Sequence, residues 1–247
     1  MKNWISGRVV EKTHWTDTLF SVRFDAPLED FNAGQFIQVA MDIEGERVAR
    51  PYSLVNAPHE RPLEIYFNEV PEGPLTPRLS LLEPGDSLWV SAKASGVFVM
   101  ERIPECRDLW MFATGTALGV YLSILKTAIP WQRFEKVVLV HGCRTAQELN
   151  YQKTILMLAD RFGDQFHFVP ALSRERAAGR LPGRVTDLLE TGVLERTANR
   201  VISPDYSHIM LCGNEAMIRD MRSLLEARGL QRHTARQSGH YTTEKYH

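Results

Sequence analysis

The unbroken apolar run Leu109-Trp110-Met111-Phe112-Ala113 leads through Thr114-Gly115-Thr116 into a second apolar stretch containing Tyr121-Leu122-Ser123-Ile124-Leu125-Lys126. That order is a strand, a tight glycine turn and a helix, in which main-chain N–H groups and a helix dipole are available to a phosphate. On its own such a turn mostly reports α/β packing. The same alternation continues to the end of the chain, with strands at 109–113, 137–141, 166–171 and 207–212. Helices near 117–127, 146–162 and 184–191 separate them, and a last helix runs from about Glu215 to Ala227. The pattern predicts an open, mostly parallel α/β sheet beginning near Ile103-Pro104.

Before that boundary the chain has a different rhythm. The segments Ile5 to Thr13, Leu19 to Asp25, Gln35 to Met41, Arg47 to Leu54, Leu63 to Val70 and Ser87 to Ser91 are rich in β-branched and aromatic residues. Turn signals such as Glu44-Gly45-Glu46, Asn56-Ala57-Pro58 and Glu83-Pro84-Gly85-Asp86 punctuate them. Six short antiparallel strands at this spacing predict a small barrel, interrupted by a short helix from Pro77 to Leu82 that Thr76 starts. The expected domains are 1–102 and 103–247, and 44% apolar residues suffice for two cores.

Charge and cysteine usage exclude several classes. A formal charge of −1 provides no global basic field, so nucleic acid is not an expected partner. No apolar run approaches the roughly 20 residues that span a bilayer, and the start lacks a signal-peptide core, so a soluble cytoplasmic protein is expected. Cys106, Cys143 and Cys212 are odd in number and widely spaced, which predicts neither a structural zinc nor an iron–sulfur cluster on this chain. No metal ligands are assigned.

Two further segments carry chemistry. Arg50-Pro51-Tyr52-Ser53 packs together a permanent cation that forks onto phosphate oxygens, a φ-restricted proline, a flat aromatic and a small hydroxyl. In an extended strand Arg50 and Tyr52 share one face and Ser53 takes the other. Met210-Leu211-Cys212-Gly213-Asn214 repeats the strand, glycine and helix order near the end of the chain. An edge strand would account for the first and a buried cysteine for the second. Their joint order with the Gly115 turn is harder to obtain by accident.

With these segments the chain resembles the ferredoxin–NADP reductase family, most closely its bacterial branch of ferredoxin or flavodoxin reductases. Trp15 to Phe20, Gly34-Gln35-Phe36, Pro84-Gly85-Asp86 and the Gly239-His240 tail extend the resemblance over nearly the whole chain. It implies an FAD-binding barrel followed by a Rossmann-like NADP-binding domain whose C-terminal tail returns to the flavin. By resemblance Arg50 faces the FAD diphosphate, Tyr52 packs on the isoalloxazine and Ser53 lies near N5, with Pro51 counted among the FAD-binding residues. Gly73 to Thr76 open the short helix, so the N–H groups of Leu75 and Thr76 are available to the same diphosphate; by resemblance Tyr66 and Phe67 border the flavin and Thr116 sits at its ring edge. Barrel core for Tyr66 and Phe67, and a helix cap for Thr76, are the alternatives. His247 stands where several relatives end in Trp, with less ring area for stacking.

NADP carries a 2′-phosphate where NAD has a hydroxyl, and a site choosing it needs cations. Arg144 follows the second strand of the α/β region, Ser173-Arg174 the third, and Arg184 follows Pro182-Gly183. The resemblance supports Ser173, Arg174 and Arg184 as 2′-phosphate contacts with Arg144 a further candidate, although Glu175 is a dissenting charge beside them. It sets Cys212, Gly213 and Asn214 by the nicotinamide, with Cys212 a small polarizable group beside the hydride path. Ala117 and Val120 depart from the family's usual Gly and Pro in the phosphate turn. The implied activity is hydride transfer between NADPH and FAD and single-electron transfer to ferredoxin or flavodoxin, by a monomer, with Tyr52, Ser53 and Cys212 orienting the rings. Arg222, Arg228, Arg232, His233 and Arg236 form either a docking patch for an acidic carrier or a solvated helix face. An NADH-linked reductase component of an oxygenase and a non-catalytic flavin relay subunit are the rival readings.

Overall fold

The computed structural model describes residues 3–246. The chain divides into two compact units, one reaching to Met100 and taking in Gly119–Thr127, the other formed by Glu101–Leu118 and the chain from Ala128 onward.

The first unit contains β1 (Trp4–Thr16), β2 (Leu19–Asp25), β3 (Phe36–Ile43), β4 (Glu46–Ser53), β5 (Leu63–Asn68), α1 (Thr76–Ser80) and β6 (Ser87–Ser91). They form one antiparallel sheet in the order β4-β3-β6-β1-β2-β5, and an antiparallel bridge between Leu54 and Ile65 links its two ends. Strand periodicity explains the core: Phe20, Val22 and Phe24 on β2, Ile37 and Val39 on β3, and Leu63, Ile65 and Phe67 on β5 point inward at every second position. Glu44 and Gly45, both at positive φ (52° and 84°), make the two-residue turn that joins β3 to β4. That geometry matches the right-handed twist of the hairpin strands.

The second unit is built on β7 (Asp108–Thr114). There follow α2 (Leu118–Leu125), α3 (Ile129–Arg133), β8 (Lys136–Cys143), α4 (Gln152–Phe162), β9 (Phe166–Leu172) and β10 (Leu181–Pro182). The chain continues with α5 (Val185–Glu190), α6 (Val193–Ala198), β11 (Ser207–Gly213), α7 (Glu215–Ala227) and β12 (Tyr241–Lys245). The sheet is parallel throughout, in the order β10-β9-β8-β7-β11-β12. β7 is buried from Asp108 to Ala113, as expected of a central strand covered on both faces. Every residue of α2 is buried as well, the property of a helix that is apolar all round. Its body belongs with the first unit: Ser123 Oγ donates to the Asn56 carbonyl at 2.8 Å and Lys126 Nζ to Glu60 at 3.1 Å. A Cβ on Gly119 would stand 3.2 Å from Val55, so this glycine serves helix packing.

Several elements differ from the sequence expectation. The helix expected at 117–127 opens as a 3-10 turn over Gly115–Ala117 and ends at Leu125. The one expected at 146–162 breaks after Ala146–Glu148, because Glu148 folds back onto the Arg144 N–H and Tyr151 takes a positive φ of 59°. α1 starts earlier and ends earlier than 77–82. The short helices α3 and α6 and the strands β10 and β12 carry too little periodicity to be read from sequence. Within the C-terminal tail, Tyr241–Lys245 form the edge strand β12, with Tyr241 fully buried in the core of the second unit.

Candidate functional site

The order of the parallel sheet reverses between β7 and β11: the chain steps from β7 outward to β8, β9 and β10, then returns to place β11 and β12 on the other side. Open α/β sheets bind ligands at the carboxyl ends of the strands flanking such a reversal. Thr114, Gly115, Gly213 and Asn214 are the residues at those ends. The Asn214 N–H donates to Thr114 Oγ1 at 3.4 Å, and the Asn214 side chain caps α7 by accepting the Met217 N–H at 2.9 Å. Asn214 is therefore a helix cap, with its amide oxygen engaged. A Cβ on Gly213, at φ +154°, would overlap Thr114 Oγ1 and approach Met217 Cε to 2.7 Å, so only glycine fits there. Gly115, at φ +56°, has no atom within 4 Å of the place its Cβ would occupy, which leaves that side of the turn open.

At the ends of β8 and β9 the chain presents arginines. The Arg174 N–H donates to the Arg144 carbonyl at 2.9 Å, extending the strand pairing by one step and bringing the two positions side by side. The Gly183 N–H donates to the Leu172 carbonyl at 2.8 Å, which sets Arg184 at the entry to α5 beside them. Arg144, Arg174 and Arg184 are exposed, and their guanidinium groups make no hydrogen bond or ion pair among the described residues. Both nearby acids face the main chain instead: Glu148 accepts the Arg144 N–H at 3.0 Å and Glu175 the Ala146 N–H at 2.7 Å. Ser173 Oγ donates to the Cys143 carbonyl at 3.2 Å, so its hydroxyl oxygen keeps acceptor capacity while its proton is engaged. Arg176, which the sequence did not single out, adds an unpaired cation to the same loop. Three or more unpaired guanidinium groups beside an open glycine turn fit a dinucleotide bearing an extra phosphate.

In the first unit β4 is the terminal strand in the sheet order, where Pro51 removes no needed ladder bond. Arg50 is exposed and, among the described residues, bonds only to the adjacent Ala49 carbonyl, at 2.8 Å. Tyr52 is half-buried, edge-on to Phe67 with ring centroids 6.0 Å apart, and its hydroxyl has no partner among the described residues. Burial pushes that phenol above its ordinary range. Ser53 is buried and its hydroxyl also has no hydrogen-bond partner among the described residues. Phe67 belongs to the barrel core, stacked on Phe20, whereas Tyr66 on the opposite face of β5 adjoins Gly119 of α2. Leu75 is buried at the start of α1, and Thr76 Oγ1 accepts the Val70 N–H at 2.9 Å. Thr76 is thus a loop clasp and the first helical residue; the N-cap position falls to Leu75. A guanidinium without an ion pair, an unpartnered phenol and an unengaged hydroxyl within four residues of one strand fit the diphosphate and ring of FAD.

Other expected residues have more restricted surroundings. Cys212 is fully buried between β7 and β12, and burial raises its thiol well above the ordinary range, so the thiol is held neutral. Thr116 is half-buried in the 3-10 turn. His247 lies outside the described residues. Of the cations considered for docking, Arg228 pairs with Glu195 at 3.0 Å and Arg222 with Glu226 at 3.5 Å. His141 was missed: fully buried at the end of β8, it places Nε2 at 3.0 Å from the Gly115 carbonyl. The signal for it was a lone histidine closing the apolar run Val137 to Val140. Among the described residues no group of three or more His, Cys, Asp or Glu side chains is arranged to hold a metal, and no helix is long and apolar enough to cross a membrane.

Residues 7–97 match the family described as Oxidoreductase FAD-binding domain, and residues 111–223 the one described as Oxidoreductase NAD-binding domain. The chain is 46% identical over 220 residues to the flavodoxin/ferredoxin–NADP reductase of Escherichia coli (strain K12), covering 89% of each chain. It is 35% identical over 240 residues to the ferredoxin–NADP reductase of Pseudomonas aeruginosa, covering 94% of this chain and 92% of that one. A crystal structure of a ferredoxin NADP+ reductase from Neisseria gonorrhoeae, with bound FAD and NADP, superposes with a TM-score of 0.94 at 27% identity over 99% of both chains. By fold, by both matched domains and by identity over most of its length, the chain belongs to the flavodoxin/ferredoxin–NADP reductase family.

Proposed function

We propose that this chain is an FAD-dependent reductase that exchanges electrons between NADPH and a small protein carrier, ferredoxin or flavodoxin. The observation that carries the choice of nucleotide is the set of unpaired arginines at 144, 174 and 184, whose two neighbouring acids are turned onto main-chain N–H groups. Bound FAD supplies the exchange between two-electron and one-electron chemistry. FAD is assigned to the barrel, residues 1–102, and NADP to the α/β region, residues 103–247.

Arg50 neutralises the FAD diphosphate, Tyr52 gives the ring a flat wall, and Ser53 offers a hydroxyl at the ring edge. Pro51 holds β4 extended. Leu75 and Thr76 close the loop over the diphosphate, and Tyr66 and Phe67 back the ring from β5. Arg144, Ser173, Arg174 and Arg184 recognise the 2′-phosphate, while Gly213 and Asn214 admit the nicotinamide at the end of β11. None of these residues is required to act as an acid or nucleophile; their work is to bind and orient. All of them lie on one chain, so a monomer suffices, and dependence on NADPH is consistent with the cytoplasm.

The test is an anaerobic titration of the FAD-reconstituted chain with NADPH and, separately, NADH, following the flavin absorbance. Bleaching by NADPH at far lower concentration than NADH supports the proposal. Equal or NADH-favoured bleaching overturns the nucleotide assignment, and failure to retain flavin overturns the assignment of Arg50 to Ser53.

A further inference from the structure

The Gly115 turn is held from inside the sheet. His141 Nε2 lies 3.0 Å from the Gly115 carbonyl oxygen, and a carbonyl only accepts, so Nε2 carries a proton and donates it. The same oxygen accepts the Leu118 N–H at the start of α2, which uses its second lone pair. Cys143 Sγ, 3.3 Å from Nε2, packs beside the ring, and its thiol is directed to the Glu148 carbonyl at 3.5 Å. Histidine, cysteine and glycine thus form one small cluster under the turn.

The trans peptide turns this into a statement about the ligand side. C=O and the following N–H point in opposite directions across a planar peptide. With the Gly115 carbonyl drawn toward His141, the N–H of Thr116 is directed the other way, and it has no acceptor among the described residues. The open side of Gly115 leaves room for a ligand to approach the turn.

We propose that His141 is a positioning residue: its hydrogen bond to Gly115 keeps the turn in the conformation that offers the Thr116 N–H to the diphosphate of the pyridine nucleotide. This rests on the assignment of the α/β region, which contains that turn, to NADP made above. Burial lowers the His141 pKa to about 4, partly offset by the Gly115 bond, so the clasp stays neutral and intact at physiological pH. A side chain of this kind touches no ligand and acts through the main chain alone.

Calorimetric binding of NADP+ and of 2′-AMP to the full-length holoprotein tests it. The second ligand has the 2′-phosphate and lacks the diphosphate, so it engages the arginines and not the turn. His141→Leu is expected to weaken NADP+ roughly tenfold, the scale of one lost hydrogen bond, and to leave 2′-AMP unchanged. His141→Gln, whose amide nitrogen reaches the place of Nε2, is expected to restore most of the NADP+ affinity. Wild-type NADP+ affinity in His141→Leu, equal losses for both ligands, or a Gln variant no better than Leu overturns the proposal. If the Leu variant does not fold, His141→Asn, too short to reach Gly115, takes its place against His141→Gln with the same expectations. A wild-type chain that binds neither ligand overturns the nucleotide assignment and this proposal with it.

Discussion

Glu175 sets its carboxylate on the main-chain N–H of Ala146 at 2.7 Å, although in the chain it stands between Arg174 and Arg176. It braces the loop after β9 against the loop after β8 and leaves the flanking guanidinium groups unpaired. Glu175→Gln keeps an acceptor for Ala146 and removes one negative charge from the arginine cluster. The KM for NADPH is expected to fall about twofold, a few tenths of a kcal/mol at an exposed site, with NADH turnover unchanged. Steady-state kinetics with both nucleotides checks this, and a rise in the NADPH KM contradicts it.

The arginines themselves have a larger effect. A hydrogen bond to a charged group contributes about 1.5–3 kcal/mol, so Arg174→Ala and Arg184→Ala are each expected to raise the NADPH KM roughly 10- to 100-fold. Arg144→Ala follows in the same direction. NADH has no 2′-phosphate, and its kinetic constants are expected to stay near wild type. Because none of the three side chains has a partner among the described residues, thermal stability is expected to be unchanged, which separates a binding effect from misfolding.

Much of this was legible before the structure. The β2, β6 and α7 boundaries follow from apolar spacing and turn residues alone, and the Gly115 and Gly213 turns stand where their glycines announced them. What stayed hidden depends on contacts distant in sequence. The role of Glu175 is decided by a residue 29 positions away, and that of His141 by a turn 26 positions away. Tyr241-Thr242-Thr243 has strand-forming residues, but only pairing with β11 makes it a strand. Thr76 looked like a helix cap because capping residues precede helices, yet its hydroxyl is drawn to Val70 across the loop.

Among the described residues Arg50 bonds only to its own neighbour's carbonyl, so the fold does not depend on it. Arg50→Ala is expected to purify with a lowered ratio of flavin to protein absorbance and an unaltered thermal midpoint of the apoprotein. Arg50→Lys keeps the charge and loses the fork, and is expected to fall between the two. Full flavin content in Arg50→Ala would remove this residue from the FAD site.

Gly213 and Gly115 occupy the two halves of the sheet reversal and differ in tolerance. A Cβ at Gly213 meets Thr114 and Met217 at once, and its φ of +154° is strained for other residues. Gly213→Ala is expected to destabilise the chain by about 3 kcal/mol, through overpacking and backbone strain, and to lower the thermal midpoint by roughly 10 °C. Gly115→Ala meets no atom and bears only the left-handed backbone penalty of about 1 kcal/mol. A thermal scan of both variants checks the order, and equal midpoints would contradict it.

His141 and His208 are both fully buried in the second unit, and burial lowers their pKa values to about 4 and about 3. In the unfolded chain each returns to the ordinary value near 6.5 and binds a proton that the folded state refuses. Their contribution is therefore complete above pH 6.5 and is lost as pH falls toward 4 for His141 and toward 3 for His208. At roughly 1.4 kcal/mol for each pKa unit, His141 alone accounts for about 3 kcal/mol across its window. Carboxylates titrate mostly below pH 5, so the loss between pH 6.5 and 5 belongs to the histidines. The thermal midpoint is expected to drop through that interval, and to drop less in His208→Gln, where no proton is taken up at that site on unfolding. A midpoint flat from pH 6.5 to 5 in the wild-type chain would mean that neither ring is held neutral by its burial.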